Sequence, residues 1–416
     1  MTSKRICRSA LVLSGGGARG AYETGVLHYL RTMLPPKLSQ NLKFNIHSGS
    51  SVGAINATFM ASMAHDPLEQ GKQIVHLWKN LKTSNIYRRG PVNLGKLVFR
   101  STIGVLSHLI GLRGFKEPND RSLHFQGFFD TQPFFHFLRQ HMQFQNVGKN
   151  IENGTVDAVV VSATNMLTGQ LELFLQKGPQ MPLSERMQVH VCKLSPRHIM
   201  ASAALPLLFP PVPIHGLYYN DGGMRLNTPL APAVSLGAAR ILIVGTRYRP
   251  TLQDLDTQVR TAVPRKPTLG DVLGKLYHAI LLDRLDSDRD QVDRINRILA
   301  ACASQTSKET YHEVCEKAGV QQIETLTISP SMNISSLVDE TVRGNLRNLK
   351  TLGIMERFVL RLLEADPISG NDFLSYFLFE PIYLQKLIDL GFEDARNHHD
   401  QLATFAERAI QNTPID

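Results

Sequence analysis

The chain has little cysteine, a single tryptophan and no long hydrophobic run. Its four cysteines, Cys7, Cys192, Cys302 and Cys315, include no C-x-x-C pair. A disulfide scaffold and a structural zinc site are therefore not expected, and a reducing compartment fits. No apolar stretch approaches the ~18–20 residues that span a bilayer. The apolar part of the basic N-terminus, Ala10 to Leu13, is too short for a signal peptide and reads as a first strand. Acidic residues are in deficit, with 36 Asp and Glu against 45 Lys and Arg, a net charge of +9 and a pI near 9.4. That balance favours anionic partners such as acidic lipid, phosphate or nucleic acid. A hydrophobic content of 43% is enough for a sizeable core and excludes a largely disordered chain.

Short apolar runs joined by glycine turns to helical patterns dominate the first half. Residues 8–14 form a strand-like run, three glycines follow, and Tyr22, Val26 and Leu30 then recur at helical spacing until Pro35 and Pro36. A second strand is expected at Phe44–Ser48, with Gly49-Ser50-Ser51-Val52-Gly53 and a helix over Ala54–Ala64 directly after it. Two strand–turn–helix units in succession argue for a parallel α/β sheet. Further strands are expected at Val156–Ala163, Leu171–Leu175, Ile241–Val244 and Ile323–Ile328, and a helix at Arg197–Ala204. From Ile334 onward only helical pattern remains. The chain therefore divides into an α/β domain, 1–330, and a helical C-terminal extension, 331–416. Residues 79–127 stand out as a basic amphipathic insertion. Within it, 79–121 holds nine Lys or Arg against Glu117 and Asp120, interleaved with apolar residues, as in a flap that meets a membrane surface or in an ordinary solvated insertion.

Three motifs could carry chemistry. Gly15-Gly16-Gly17-Ala18-Arg19-Gly20 satisfies G-x-G-x-x-G between a strand and a helix. A dinucleotide site wants a carboxylate at the end of the next strand, where this sequence has His47-Ser48-Gly49-Ser50-Ser51. The consecutive glycine amides at a helix N-terminus could instead hold an anion, including a reaction oxyanion, or form a ligand-free turn. Gly49-Ser50-Ser51-Val52-Gly53 is a G-x-S-x-G strand-to-helix turn, which makes Ser51 the candidate nucleophile. Asp221-Gly222-Gly223 offers a carboxylate that could take the serine proton, or a plain turn. A Ser–Asp–His triad would need a late histidine. His278, His312, His398 and His399 all lie in charged helical stretches, which argues against it.

In their order and approximate spacing these motifs resemble the patatin-like phospholipase family. Ser162-Ala163-Thr164-Asn165 with Thr168-Gly169, and the run Ala201–Val212 leading to the aspartate, add to the resemblance. It implies a three-layer α/β/α fold with a mostly parallel central sheet. It also implies lipid acyl hydrolase activity through a Ser–Asp dyad without histidine. Carried over residue by residue, Ser51 is the nucleophile and Asp221 the base. Gly15, Gly16 and Gly17 supply the oxyanion hole, with Arg19, Gly20, Gly49, Gly53, Gly222 and Gly223 in support. Arg19 either steers anionic headgroups or braces its loop.

The resulting expectation is a serine hydrolase that cleaves fatty-acyl esters of phospholipids through an acyl-enzyme. An acyltransferase built on the same intermediate, or an inert membrane- or nucleotide-binding protein, are the alternatives. No cofactor, metal or nucleic acid is expected. The partners are a lipid substrate and a transient membrane contact, with an oligomer open through the C-terminal helices. The aromatic-rich run Asn371–Phe379 must pack somewhere, and docking in cis is favoured over a second subunit. A cytoplasmic location with peripheral membrane contact is expected, and export without an N-terminal signal is left open.

Overall fold

Strand β1 (Arg8–Leu13) shows why a parallel sheet forms: Ala10, Leu11, Val12 and Leu13 are all fully buried. Leu11 and Leu13 enter one hydrophobic cluster, Ala10 and Val12 another, so both faces of the strand are covered. The computed structural model describes residues 7–89, 127, 129–182, 187–261, 285–344 and 374–412. The remaining strands are β2 (Ile46–Ser50), β3 (Arg88–Arg89), β4 (Phe129–Asp130), β5 (Ala158–Asn165), β6 (Leu171–Lys177) and β7 (Val189–Val191). They continue with β8 (Val212–Ile214), β9 (Leu217–Asp221), β10 (Ala238–Val244) and β11 (Glu324–Ile328). The main sheet runs β11-β10-β1-β2-β5-β6-β7, parallel except where β6 pairs with β5.

Among the described residues the helices are α1 (Gly20–Thr32), α2 (Pro36–Ser39), α3 (Val52–Ser62), α4 (Pro67–Lys79), α5 (Thr83–Ile86), α6 (Gln132–His141) and α7 (Phe144–Glu152). They continue with α8 (Pro196–Ser202), α9 (Leu230–Ser235), α10 (Leu252–Thr261), α11 (Leu285–Gln305) and α12 (Lys308–Ala318). The last are α13 (Ile334–Gly344), α14 (Pro381–Asn397) and α15 (His399–Ile410). Residues of α1, α3, α4 and α14 share the cluster of Leu11 and Leu13. Leu230 and Ala233 of α9 and Val292 of α11 join the cluster of Ala10 and Val12. The sheet therefore lies between two helical layers, the three-layer α/β/α arrangement that the motifs imply.

Several element bounds differ from the expected ones: the strand expected at Val156–Ala163 is Ala158–Asn165, and the helix expected at Ala54–Ala64 is Val52–Ser62. The second strand begins at Ile46 and runs to Ser50, two residues later than the expected Phe44–Ser48. Asn45 anchors its entry: its carbonyl accepts the Asp157 and Ala158 amides at 2.7 and 3.0 Å, and its side chain accepts the Ser9 amide at 3.0 Å. Parallel pairing starts only beyond that anchor. Most of the basic insertion expected at 79–127 lies outside the described residues. At its base, β3 and β4 pair antiparallel, so the chain leaves and returns at one point. There Tyr87 and Phe129 stack at 4.4 Å between ring centroids, with Phe209 5.9 Å from Tyr87.

The C-terminal helices dock in cis. Tyr383, Leu384, Leu387 and Ile388 of α14 lie in the same core as β1. Tyr22 of α1 donates to Asp394 of α14 at 3.0 Å. The two helices cross at paired glycines: a Cβ on Gly25 would strike the Ile388 carbonyl, and one on Gly391 would strike the Tyr22 carbonyl. Among the described residues, no helix is long and apolar enough to cross a membrane.

Gly391→Val is expected to force α14 away from α1 and to destabilise the fold by about 1–3 kcal/mol, the usual range for overpacking. Chemical denaturation of the full chain measures this. An unchanged midpoint would mean that the crossing tolerates a side chain.

Candidate active site

Strand β5 brings the serine and the aspartate together. Along one of its edges β2 pairs in register up to Ser50, opposite Ser162. There β2 turns away into α3, and on β5 the next residue, Ala163, pairs with Asp221 of the antiparallel β9. The chain reverses at Ser51, whose φ of 52° and ψ of −123° form a strained elbow. The motif's flanking glycines are a packing requirement: a Cβ on Gly49 would strike the Gly53 carbonyl, and one on Gly53 the Leu13 carbonyl. Ser51 Oγ donates to Asp221 Oδ2 at 2.6 Å. The Ser51 amide is held by Ser202 Oγ of α8 at 2.9 Å. Asp221 is fixed through its other carboxylate oxygen by the Gly223 amide at 2.7 Å, and its own amide donates to the Ala204 carbonyl at 3.0 Å. Gly222 packs so closely on β5 that a Cβ there would strike the Ser162 carbonyl.

The glycine loop lies beside the elbow, but not all of its amides are free. The Gly15 amide donates to the Asn227 carbonyl at 2.9 Å, which corrects its expected place among the oxyanion donors. Gly15 instead anchors the loop, since its carbonyl accepts from Thr246 Oγ1 at 2.6 Å. The Gly16 and Gly17 amides make no hydrogen bond among the described residues, and Gly17 shares a cleft with Ser51. Ser51 also occupies the N-cap position of α3 without a capping hydrogen bond from its side chain, so the positive end of that helix dipole lies at the elbow. Gly20 opens α1 and packs against Val52. Arg19 is buried, and its guanidinium turns to Ser375 and Tyr376 of the C-terminal region, which favours the bracing role over a free headgroup ligand.

The cleft is apolar. Val52, Ile55, Trp78, Leu81, Ile86, Phe134, Ala203, Leu205, Phe209, Tyr376, Phe377 and Phe379 line it together with Gly17 and Ser51. Trp78 is held edge-on by Asn56, which accepts its indole N–H at 2.8 Å and in turn donates to Glu23 at 2.8 Å. Asn227, Thr246 and the 374–379 segment are absent from the sequence motifs, Ser202 stands in the Ala201–Val212 run without an assigned role, and only the aromatic richness of the 374–379 segment hinted at a role. Of the late histidines, His398 bonds the Asp394 carbonyl and His399 the Tyr29 hydroxyl. The partner of Ser51 is Asp221.

Burial sets the electrostatics. Asp221 is fully buried, and desolvation pushes its carboxyl up to about 7, with the Ser51 hydroxyl and the Gly223 amide pulling the other way. A carboxylate poised near neutrality is a far better proton acceptor than one at the usual value of ~4. A hydroxyl in contact with such a base, next to free backbone amides in an apolar cleft, suits acyl transfer from a hydrophobic ester.

These features make this a candidate ester hydrolase site on an α/β/α sheet. The patatin-like phospholipase family profile matches residues 11–234, more than half of the chain, and the chain belongs to this family. It is by that membership a lipid acyl hydrolase. No curated protein matches it. Among solved structures it is similar to VipD from Legionella pneumophila, at 15% identity and a TM-score of 0.34, over 96% of this chain and 68% of that one. It is also similar to human GIVD cytosolic phospholipase A2 in complex with methyl gamma-linolenyl fluorophosphonate, at 11% identity and a TM-score of 0.38. That match covers 98% of this chain and 59% of the human protein.

The raised carboxyl has a stability consequence. Asp221 holds its proton more tightly in the folded chain than in the unfolded one, so folding stability falls as pH rises from about 4 through about 7. Asn does not titrate. The melting temperature of Asp221→Asn relative to wild type is therefore expected to rise between pH 5 and pH 8. A pH-independent difference in thermal melts would show that the carboxylate is not desolvated.

Proposed function

We propose that the chain cleaves fatty-acyl esters of phospholipids through a Ser51–Asp221 dyad. The observation that carries this reading is the 2.6 Å hydrogen bond from Ser51 Oγ to a fully buried carboxylate at the end of an apolar cleft. In the first half-reaction Asp221 takes the hydroxyl proton as Oγ bonds to the ester carbonyl carbon. The carbonyl oxygen becomes an oxyanion and receives the Gly16 and Gly17 amides. Loss of one such donor typically costs ~10²–10³ in rate. The C–O bond to the lysophospholipid then breaks, and Asp221 returns the proton to the departing alcohol. In the second half-reaction Asp221 deprotonates a water that attacks the acyl-serine, and the fatty acid leaves with Ser51 restored.

Fatty-acid release from mixed phospholipid vesicles is expected to fall at least ~10³-fold in Ser51→Ala and Asp221→Asn. The wild-type kcat/KM should fall about tenfold per pH unit below about 7, because the base must be unprotonated. Release surviving in both variants would sink the dyad.

Membrane contact is part of the proposal. Leu167 is 80% exposed and Tyr218 55% exposed, with Met166 and Leu207 also exposed. Met166 and Tyr218 are joined by a backbone hydrogen bond of 2.9 Å just beyond the β5–β9 pairing that holds Asp221. Met166, Leu167 and Tyr218, at the end of the sheet that carries the site, suit shallow insertion into a lipid surface. Leu167→Asp is expected to cut release from vesicles several-fold while a soluble p-nitrophenyl ester turns over as before. Equal losses on both substrates would speak against an interfacial role.

A further inference from the structure

The segment Leu374–Phe379 begins 140 residues past the end of the family match, yet it touches the glycine loop and walls the cleft. Arg19 fastens it. The Arg19 Nε and Nη2 groups donate to Ser375 Oγ at 2.8 and 2.6 Å, and Nη1 donates to the Tyr376 hydroxyl at 3.2 Å. The guanidinium carbon lies 4.0 Å from the Tyr376 ring centroid, a cation–π geometry. The Tyr376 carbonyl accepts the Ala18 amide at 2.9 Å and fills the space where a Cβ on Gly17 would stand. From behind, the Tyr383 hydroxyl of α14 donates to the Ser375 carbonyl at 3.3 Å. A buried guanidinium is costly unless its donors are met, so these contacts bind the segment to the loop firmly.

Phe377 and Phe379 follow directly and share the cleft with Ser51, Val52 and Ile55. An aromatic wall at that place bounds the space open to a chain whose carbonyl carbon sits at Ser51 Oγ. We propose that Phe377 and Phe379, held by the Arg19–Ser375–Tyr376 clasp, set the length of acyl chain that the cleft accepts. The inference rests on the Ser51 cleft being the acyl site. It makes these two residues determinants of specificity and gives Ser375 and Arg19 a positioning role.

The chain supplies its own reporter, because its single tryptophan, Trp78, lines the same cleft. Its emission reads occupancy without turnover. Saturated fatty acids of six to sixteen carbons would be titrated into the full chain as wild type, Phe377→Ala, Phe379→Ala and Ser375→Ala. Phe377→Leu serves as the milder variant should an alanine fail to fold, with far-UV circular dichroism as the check. The same proteins and Ser51→Ala would be assayed on p-nitrophenyl esters of the same lengths. In the phenylalanine variants the preferred length is expected to move up by two or more carbons, with the sixteen-to-eight-carbon affinity ratio rising about tenfold. Ser375→Ala should shift the preference the same way but less. Folded variants that keep the wild-type length profile, or that lose all lengths by one factor, would overturn the proposal. So would wild-type emission indifferent to every fatty acid. A shifted profile together with ester hydrolysis that survives in Ser51→Ala would support the acyl wall while overturning the dyad.

Discussion

One edge of β5 holds the site in place. A parallel strand, β2, occupies that edge up to Ser50, and an antiparallel strand, β9, takes it over one residue later at Asp221. The hand-over puts the serine where β2 must leave the sheet and the aspartate where β9 arrives. The elbow strain at Ser51, the missing side chains at Gly49 and Gly53, and the tight seating of Gly222 on Ser162 all follow from fitting two chain directions onto one strand. β6, hydrogen-bonded along the other edge, leaves β5 little freedom to shift. Strands cannot slip by one residue without turning every buried side chain to the wrong face, so the separation of the two groups is set by the sheet register.

The same geometry creates an electrostatic tension. An aspartate in the interior of a lipid-binding protein is poorly solvated, and its proton is correspondingly hard to remove. That is unfavourable for the fold and favourable for proton transfer. Among the described residues two donors limit the damage, the Ser51 hydroxyl and the Gly223 amide. A third donor would have made the carboxylate more comfortable and a weaker base. The apolar lining of the cleft and the raised carboxyl of Asp221 thus have one origin, the exclusion of water.

What could be read in the sequence was local. The glycine loop, the elbow and the aspartate turn each carry their meaning within six residues, and the sheet that orders them shows in apolar runs such as Ala10–Leu13 and Ile241–Val244. The serine and aspartate named from those motifs stand in hydrogen-bond contact. The loop's donor set was misjudged at Gly15, because its amide is taken by Asn227, a residue 212 positions away with no motif of its own. Arg19 could be assigned no single role until its partners at Ser375 and Tyr376 were visible. Side chains that hold a site from a distance leave no periodic or spacing signal. The aromatic run before Pro381 advertised only that it had to be covered, not by what.

The placement of that run so far beyond the motifs has a consequence for biosynthesis. When residue 234 has been made, every residue of the family match exists, including Ser51 and Asp221. The ribosome must still add 139 residues before the segment that walls the cleft begins, and then helix α14 that backs α1. At typical elongation rates that is on the order of ten seconds. During that interval the nascent chain carries reactive groups without a finished pocket and with the α14-facing side of α1 bare. A lipid hydrolase assembled in this order completes the wall of its apolar cleft long after its motifs have been made.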